Sequence, residues 1–168
     1  YVFIELRMGC EVLFEVKKDN KKGKNVFVGR VAKDYFKSGY TNCCEAILRG
    51  EPSIYAMQVE VSAQKAVVNF GNGTKHHYKH YIDKSNEGSY YLLHLEEKGN
   101  GNRRHFSYDY SDGLFRLKRI STTNRDETLI LNWLNFDYNG LHVTVRGSNG
   151  QEARYVKQVE TGIAKKGN

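Results

Sequence analysis

Apolar and polar residues alternate with a period of two along most of the chain from Ser53 to Val159. Successive side chains of a strand point to opposite faces of a sheet, so this period indicates β-strands. Clusters of Asn, Asp, Gly and Ser separate the alternating segments at intervals of about ten residues. The pattern predicts about ten or eleven antiparallel strands. A strand-like run at 1–6 is followed by predicted strands at 11–17, 25–31, 53–62, 65–70, 75–82, 89–97, 103–110, 114–120, 128–138, 141–146 and 152–159.

Two turns and one loop allow the pairing of neighbouring strands to be predicted. A two-residue Asp112-Gly113 turn matches apolar residues with apolar residues and opposite charges with each other, as a hairpin requires. Its pairs are Tyr110 with Phe115, Tyr108 with Leu117, and Asp109 with Arg116. An Asn139-Gly140 turn predicts Tyr138 opposite Leu141, Phe136 opposite Val143, Leu134 opposite Val145, and Asp137 opposite His142. A Ser148-Asn149-Gly150 loop predicts Arg146 opposite Glu152 and Val143 opposite Tyr155.

The strand count predicts an all-β fold in one domain spanning 1–168. An antiparallel two-sheet β-sandwich is the first expectation, with a closed β-barrel or a β-trefoil as alternatives. One short helix is predicted near 42–49, where Asn42 can cap the first turn, Gly50 ends it and Pro52 follows.

The predicted core lies in the second half of the chain, on the inward positions of the hairpins. Trp133 has the opposite parity to Phe136, so its burial requires a bulge near Leu134 or a strand covered on both faces. The residues predicted to be largely buried are Trp133, Phe136, Leu129, Val143, Val145, Phe115, Leu117 and Tyr108.

The chain has 168 residues, a formal net charge of +7 and 12 tyrosines. A basic balance favours anionic partners, and aromatic rings beside cations suit sugars, bases and polyanions. The predicted ligand-binding residues are cations of the Asp112 hairpin, with one histidine and one tyrosine beside them. They are Arg103, Arg104, Arg116, Lys118, His105 and Tyr78.

No catalytic motif is evident: the chain has no nucleophile turn and no phosphate-binding loop, and its carboxylates suit turns and cross-strand pairs. In KHHYKHY, His76 and His80 share a face of a strand but lie roughly 13 Å apart, too far for one metal ion. A solvated polar strand is expected there. We therefore expect a non-enzymatic protein with no cofactor and no metal.

Three cysteines leave the pairing open. Cys10 bridged to Cys43 or Cys44 and three free thiols are both consistent with the sequence. Asn72 begins an Asn-Gly-Thr triplet on a predicted turn, an acceptor for N-glycosylation that favours an extracellular, secreted protein over an intracellular one. No apolar run reaches membrane-spanning length.

Three functions are consistent with these features. The first is a secreted binding protein that holds a glycan, another polyanion or an acidic protein on a basic, aromatic-rich β-surface. The second is a single-stranded nucleic-acid-binding β domain, and the third is a structural subunit of a larger protein assembly, with oligomer formation open. A positive groove lined with exposed rings would favour the second function, and a large exposed apolar patch or an unpaired edge strand would favour the third.

Overall fold

The computed structural model describes residues 2–5, 11–23, 25–32, 56–82 and 89–157. Across this part of the chain the structure is built almost entirely of strands, which confirms the all-β prediction. Twelve strands are described: β1 Val2–Glu5, β2 Glu11–Lys18, β3 Phe27–Val31, β4 Gln58–Val61, β5 Lys65–Asn69, β6 Lys75–Ile82, β7 Ser89–Glu97, β8 Arg103–Ser111, β9 Leu114–Thr123, β10 Ile130–Asn139, β11 His142–Gly147 and β12 Glu152–Val156.

All twelve strands belong to one antiparallel sheet, in which each strand pairs with the next along the chain. The predicted two-sheet sandwich is not confirmed, and the described strand order, which runs from β1 to β12 without closing, differs from a barrel or a trefoil. Period-two alternation shows that a strand has an apolar side, but it carries no information on what covers that side. The helix predicted near 42–49 lies outside the described residues, and so do Cys10, Cys43 and Cys44.

The predicted Asp112 hairpin is confirmed pair for pair, and so are the two pairs expected around the Ser148 loop. The register predicted around Asn139 is wrong by two residues, because Asn139 pairs with His142 and the loop is Gly140-Leu141. Gly140 has φ of 58°, which suits the first central position of a type II′ turn. The shift by two keeps every side chain on its predicted face.

The core lies in the first half of the sheet rather than the second. Its cluster comprises Val12, Phe14, Val31, Met57, Val59, Ala66, Val68, Phe70 and Tyr78. Of the predicted core residues, Leu129 is 58% exposed and the other seven are only partly buried. The irregularity in β10 falls between Ile130 and Asn132 rather than near Leu134.

Candidate functional site

One face of the sheet connects the buried core to the last strands and is apolar at both ends. A row of laterally paired residues runs from buried Val68 through His76, Glu96 and Arg104 to Thr122. Residues two positions further along each strand share that face, so the face continues over β8 to β12. We call this region the apolar face; its residues are Phe106, Ile120, Leu134, Phe136, Tyr138, Val143, Val145 and Tyr155.

The apolar face loses its cover towards the end of the sheet. Val68 is fully buried, whereas Leu134 is 42% exposed, Tyr138 is 38% exposed and Tyr155 is 61% exposed. Apolar side chains of this size favour removal from water, and a contiguous group of them on a soluble surface marks an interaction site. Side chains that would face a second layer in a sandwich are therefore partly open to solvent.

The opposite face of β10 to β12 carries the charges. Arg146 pairs with both Asp137 and Glu152, and Arg154 Nε lies 2.8 Å from Glu152 Oε1. The Arg119 guanidinium lies over the Trp133 ring, 5.1 Å from its centre. Trp133 is thus half-buried on the charged face rather than in the predicted core. The two faces of this region have opposite chemistry.

Each of the four cations predicted to bind ligand has a carboxylate partner. Three distances are short: Arg103 Nη1 to Glu127 Oε1 is 2.8 Å, Arg104 Nη1 to Glu96 Oε2 is 3.2 Å, and Lys118 Nζ to Asp109 Oδ1 is 3.2 Å. Arg116 Nη2 is 3.7 Å from Asp112 Oδ2 and stacks over Tyr138. Local pairing therefore offsets the positive charge on which the polyanion prediction depended.

The six predicted residues do not converge on one surface. Arg103 and His105 share Glu127 on the charged side of the sheet, while Arg104 is on the opposite side with Glu96. Tyr78 is only 4% exposed and its hydroxyl lies 3.4 Å from His76 Nδ1. The structure therefore places Tyr78 in the core rather than at a ligand-accessible surface.

Asn72 lies on an exposed turn between β5 and β6. Its side-chain oxygen accepts the backbone N–H of Thr74 at 2.9 Å. The turn is accessible at the position where the Asn-Gly-Thr triplet was recognised, and its glycosylation stays a prediction.

A buried ionic cluster around Glu96 was not foreseen. Glu96 is 3% exposed and interacts with His76, Lys98 and Arg104 at distances of 3.3, 2.9 and 3.2 Å. Burial opposes ionisation of this carboxyl, but hydrogen bonds from His76 and Lys98 outweigh burial and lower its pKa to about 2. His76 is 2% exposed and packs edge-on against Phe70, so the expectation of a solvated strand is wrong at this position.

The charged side of β3 to β6 contains a groove of about 540 Å³. Two rows of laterally paired residues form its floor, one polar and one mixed. The polar row is Arg30, Gln58, Asn69 and Lys75, and the mixed row is Val28, Glu60, Val67 and His77. We call this site the outer groove; Asp19 and Lys22 of the β2–β3 turn complete its wall.

Comparison with known proteins returns no matching family model, curated protein or solved structure. In the described part of the chain, no helix is both long and apolar enough to traverse a lipid bilayer.

Proposed function

We propose that this chain is a structural interaction module that assembles through its apolar face. The observation that carries the proposal is that the face buried at β4 to β6 continues, beyond the Glu96 cluster, to β12, where it is apolar and exposed. Leu134, Tyr138 and Tyr155 contribute the largest exposed part. This function corresponds to a structural subunit of a larger protein assembly.

The occupant to which the proposal commits is a second copy of the chain. The apolar face of β10 and β11 presents no charged side chain, so two copies can pack face to face without bringing like charges together. The charged groups Asp137, Arg146 and Arg154 lie on the other side of the sheet. Two sheets packed in this way lie about 10 Å apart with interleaved side chains. The second layer of the expected sandwich would then come from the partner copy.

The open edge of β12 is compatible with this arrangement. No described strand pairs with the side of β12 that faces away from β11. Glu152 and Arg154 lie on the charged face of this edge strand, and Ala153 and Tyr155 lie on the apolar face. A symmetric dimer would bury the apolar face near this edge and leave the charged residues exposed to solvent. Polar, solvent-accessible residues are typical of the rim of an interface.

Sedimentation velocity over a range of protein concentrations tests the proposal. We expect the unmodified chain to form dimers, and the double variant Leu134→Asp/Tyr155→Asp to sediment as a monomer. Both side chains are already more than one third exposed in the single chain, so their replacement removes little of the intramolecular core. Circular dichroism of the variant verifies that it remains folded.

Asn135→Asp is the matched control, because Asn135 neighbours Leu134 on β10 but lies on the charged face opposite Arg119. It places one negative charge, against two in the double variant, on the opposite face of the same strand and should leave the dimer intact. A monomer at every concentration, or equal loss of the dimer in the control and the double variant, would contradict the proposal. Another protein, or residues 158–168 of this chain, would then be the occupant to test.

A further inference from the structure

The outer groove combines ligand-sized volume with directional polar groups. Its volume of about 540 Å³ lies within the range of roughly 300–1,000 Å³ that is typical of small-molecule sites. The polar row crosses four adjacent strands, whose spacing is about 4.8 Å. Arg30 and Lys75 therefore stand about 14 Å apart at its two ends, with Gln58 and Asn69 between them.

Arg30 and Lys75, at the ends of the polar row, differ in their ion pairing from the four cations predicted to bind ligand on the Asp112 hairpin. Within the described residues, neither Arg30 nor Lys75 has a carboxylate within 4.0 Å, whereas the third cation of the groove, Lys22, lies 2.6 Å from Glu60. The hydrogen bond to Glu60 raises the pKa of Lys22. Glu60 is thus neutralised locally. Arg30 and Lys75 stand opposite Glu15 and Glu97 in their ladders, but neither makes an ion pair with the opposite carboxylate, so both can turn to a ligand.

The side chains at the centre of the groove suit a ligand with uncharged polar groups. Asn69 accepts the backbone N–H of Gly71 through its side-chain oxygen at 3.0 Å, so its amide N–H₂ is the group that can donate to a ligand. Burial lowers the pKa of His77 even though Glu97 lies 2.8 Å away, which favours the neutral imidazole. Val28 and Val67 supply apolar contact on the floor.

We propose that the outer groove binds an acidic oligosaccharide. An elongated sugar chain with one carboxylate or sulfate towards each end matches Arg30 and Lys75. Its hydroxyl groups match the amides of Gln58 and Asn69, and its apolar ring edges match the valines. This site is independent of the proposed assembly function, because it lies on the opposite side of the sheet and on different strands.

Titration calorimetry with a galacturonic acid tetramer, at low and at physiological salt, tests the site. We expect measurable binding that weakens with salt and no comparable binding of the uncharged galactose tetramer. Arg30→Gln/Lys75→Gln should weaken binding roughly tenfold or more, since each change removes a charge-assisted contact. The methyl NMR signals of Val28 and Val67 should shift when the acidic tetramer binds to the unmodified chain.

Arg116→Gln/Lys118→Gln is the matched control, because it removes the same charge from the predicted hairpin patch. Affinity unchanged by this control supports the groove, and affinity lost only in this control overturns it. Absence of binding, or equal binding of the neutral tetramer, also overturns the proposal. Tighter binding of a single-stranded DNA oligomer with the same dependence on Arg30 and Lys75 would instead assign the groove to nucleic acid. The monomeric double variant of the apolar face should bind the tetramer normally, so the two proposals can fail separately.

Discussion

Glu96 and His76 face each other across the β6–β7 ladder, with Oε1 3.3 Å from Nε2 and side chains only 4% and 2% exposed. Lys98 and Arg104 also contact the carboxylate. This cluster lies at the boundary between the buried part of the sheet and its exposed continuation. Protonation of this buried carboxylate would remove its charge-assisted contacts with Lys98 and Arg104, so the stability of the fold should depend on pH.

Stability should therefore fall in acid. The pKa of Glu96 is about 2 in the folded chain against an ordinary value of 4.5, so its contribution is complete above about pH 5 and is lost as the pH falls towards 2. That contribution is about 3 kcal/mol. Urea unfolding at pH 7, 4 and 3 measures it. In Glu96→Gln the acid-dependent loss should be smaller, whereas Glu97→Gln, which changes the more exposed neighbour, should retain it.

Gly29 should be intolerant of any side chain. A Cβ at this position would lie 2.1 Å from the carbonyl oxygen of Glu15 and 2.7 Å from Val16 Cγ1. The clash with Glu15 involves a backbone atom, which cannot move aside as the end of a flexible side chain can. We therefore expect Gly29→Ala to lower the free energy of unfolding by about 3 kcal/mol or more. Val28→Ala on the opposite face is the control for a general effect of changing β3. A Gly29→Ala protein as stable as the unmodified chain in urea would show that β2 and β3 are not this close.

Proline should distinguish the two sides of β12. The amide of Lys157 donates to Leu141, and that of Gly147 donates to Gln151. Antiparallel alternation then directs the N–H of Ala153 towards β11 and that of Arg154 away from it. Arg154→Pro should leave the β11–β12 ladder intact, while Ala153→Pro should disrupt it. Hydrogen exchange at Val145 and Val143 measures the difference, and equal protection in the two variants would be inconsistent with this register.

The type II′ turn should depend on the left-handed residue Gly140. Its φ of 58° disfavours a residue with a Cβ, so Gly140→Ala should cost about 1–2 kcal/mol in unfolding free energy. Leu141→Ala, at a neighbouring residue that is 48% exposed, should cost clearly less. Thermal unfolding of both variants is the measurement, and a larger loss in Leu141→Ala would contradict the assigned turn.

The candidate sites could be predicted only in part. Arg103, Arg104, Arg116 and Lys118 were identifiable as a local cluster of cations, but their partners include Glu96 and Glu127 from other segments, and these change what the cations can bind. The outer groove was missed because its polar row draws on four strands. Arg30 and Gln58 are 28 positions apart in sequence, and no turn signal sets the pairing of their strands.

The strands, and the hairpins whose turns are local, were predictable from neighbouring residues alone. Asp112 and Gly113 both adopt positive φ, and the residues around them match in polarity, so the pairing of Tyr110 with Phe115 followed from adjacent residues alone. The position of the core, by contrast, depends on contacts between distant parts of the chain. Phe136 and Val68 occupy equivalent apolar positions of alternating strands, yet Val68 is fully buried and Phe136 is not. Alternation assigns a side chain to a face of the sheet, whereas burial depends on whether a second layer lies against that face.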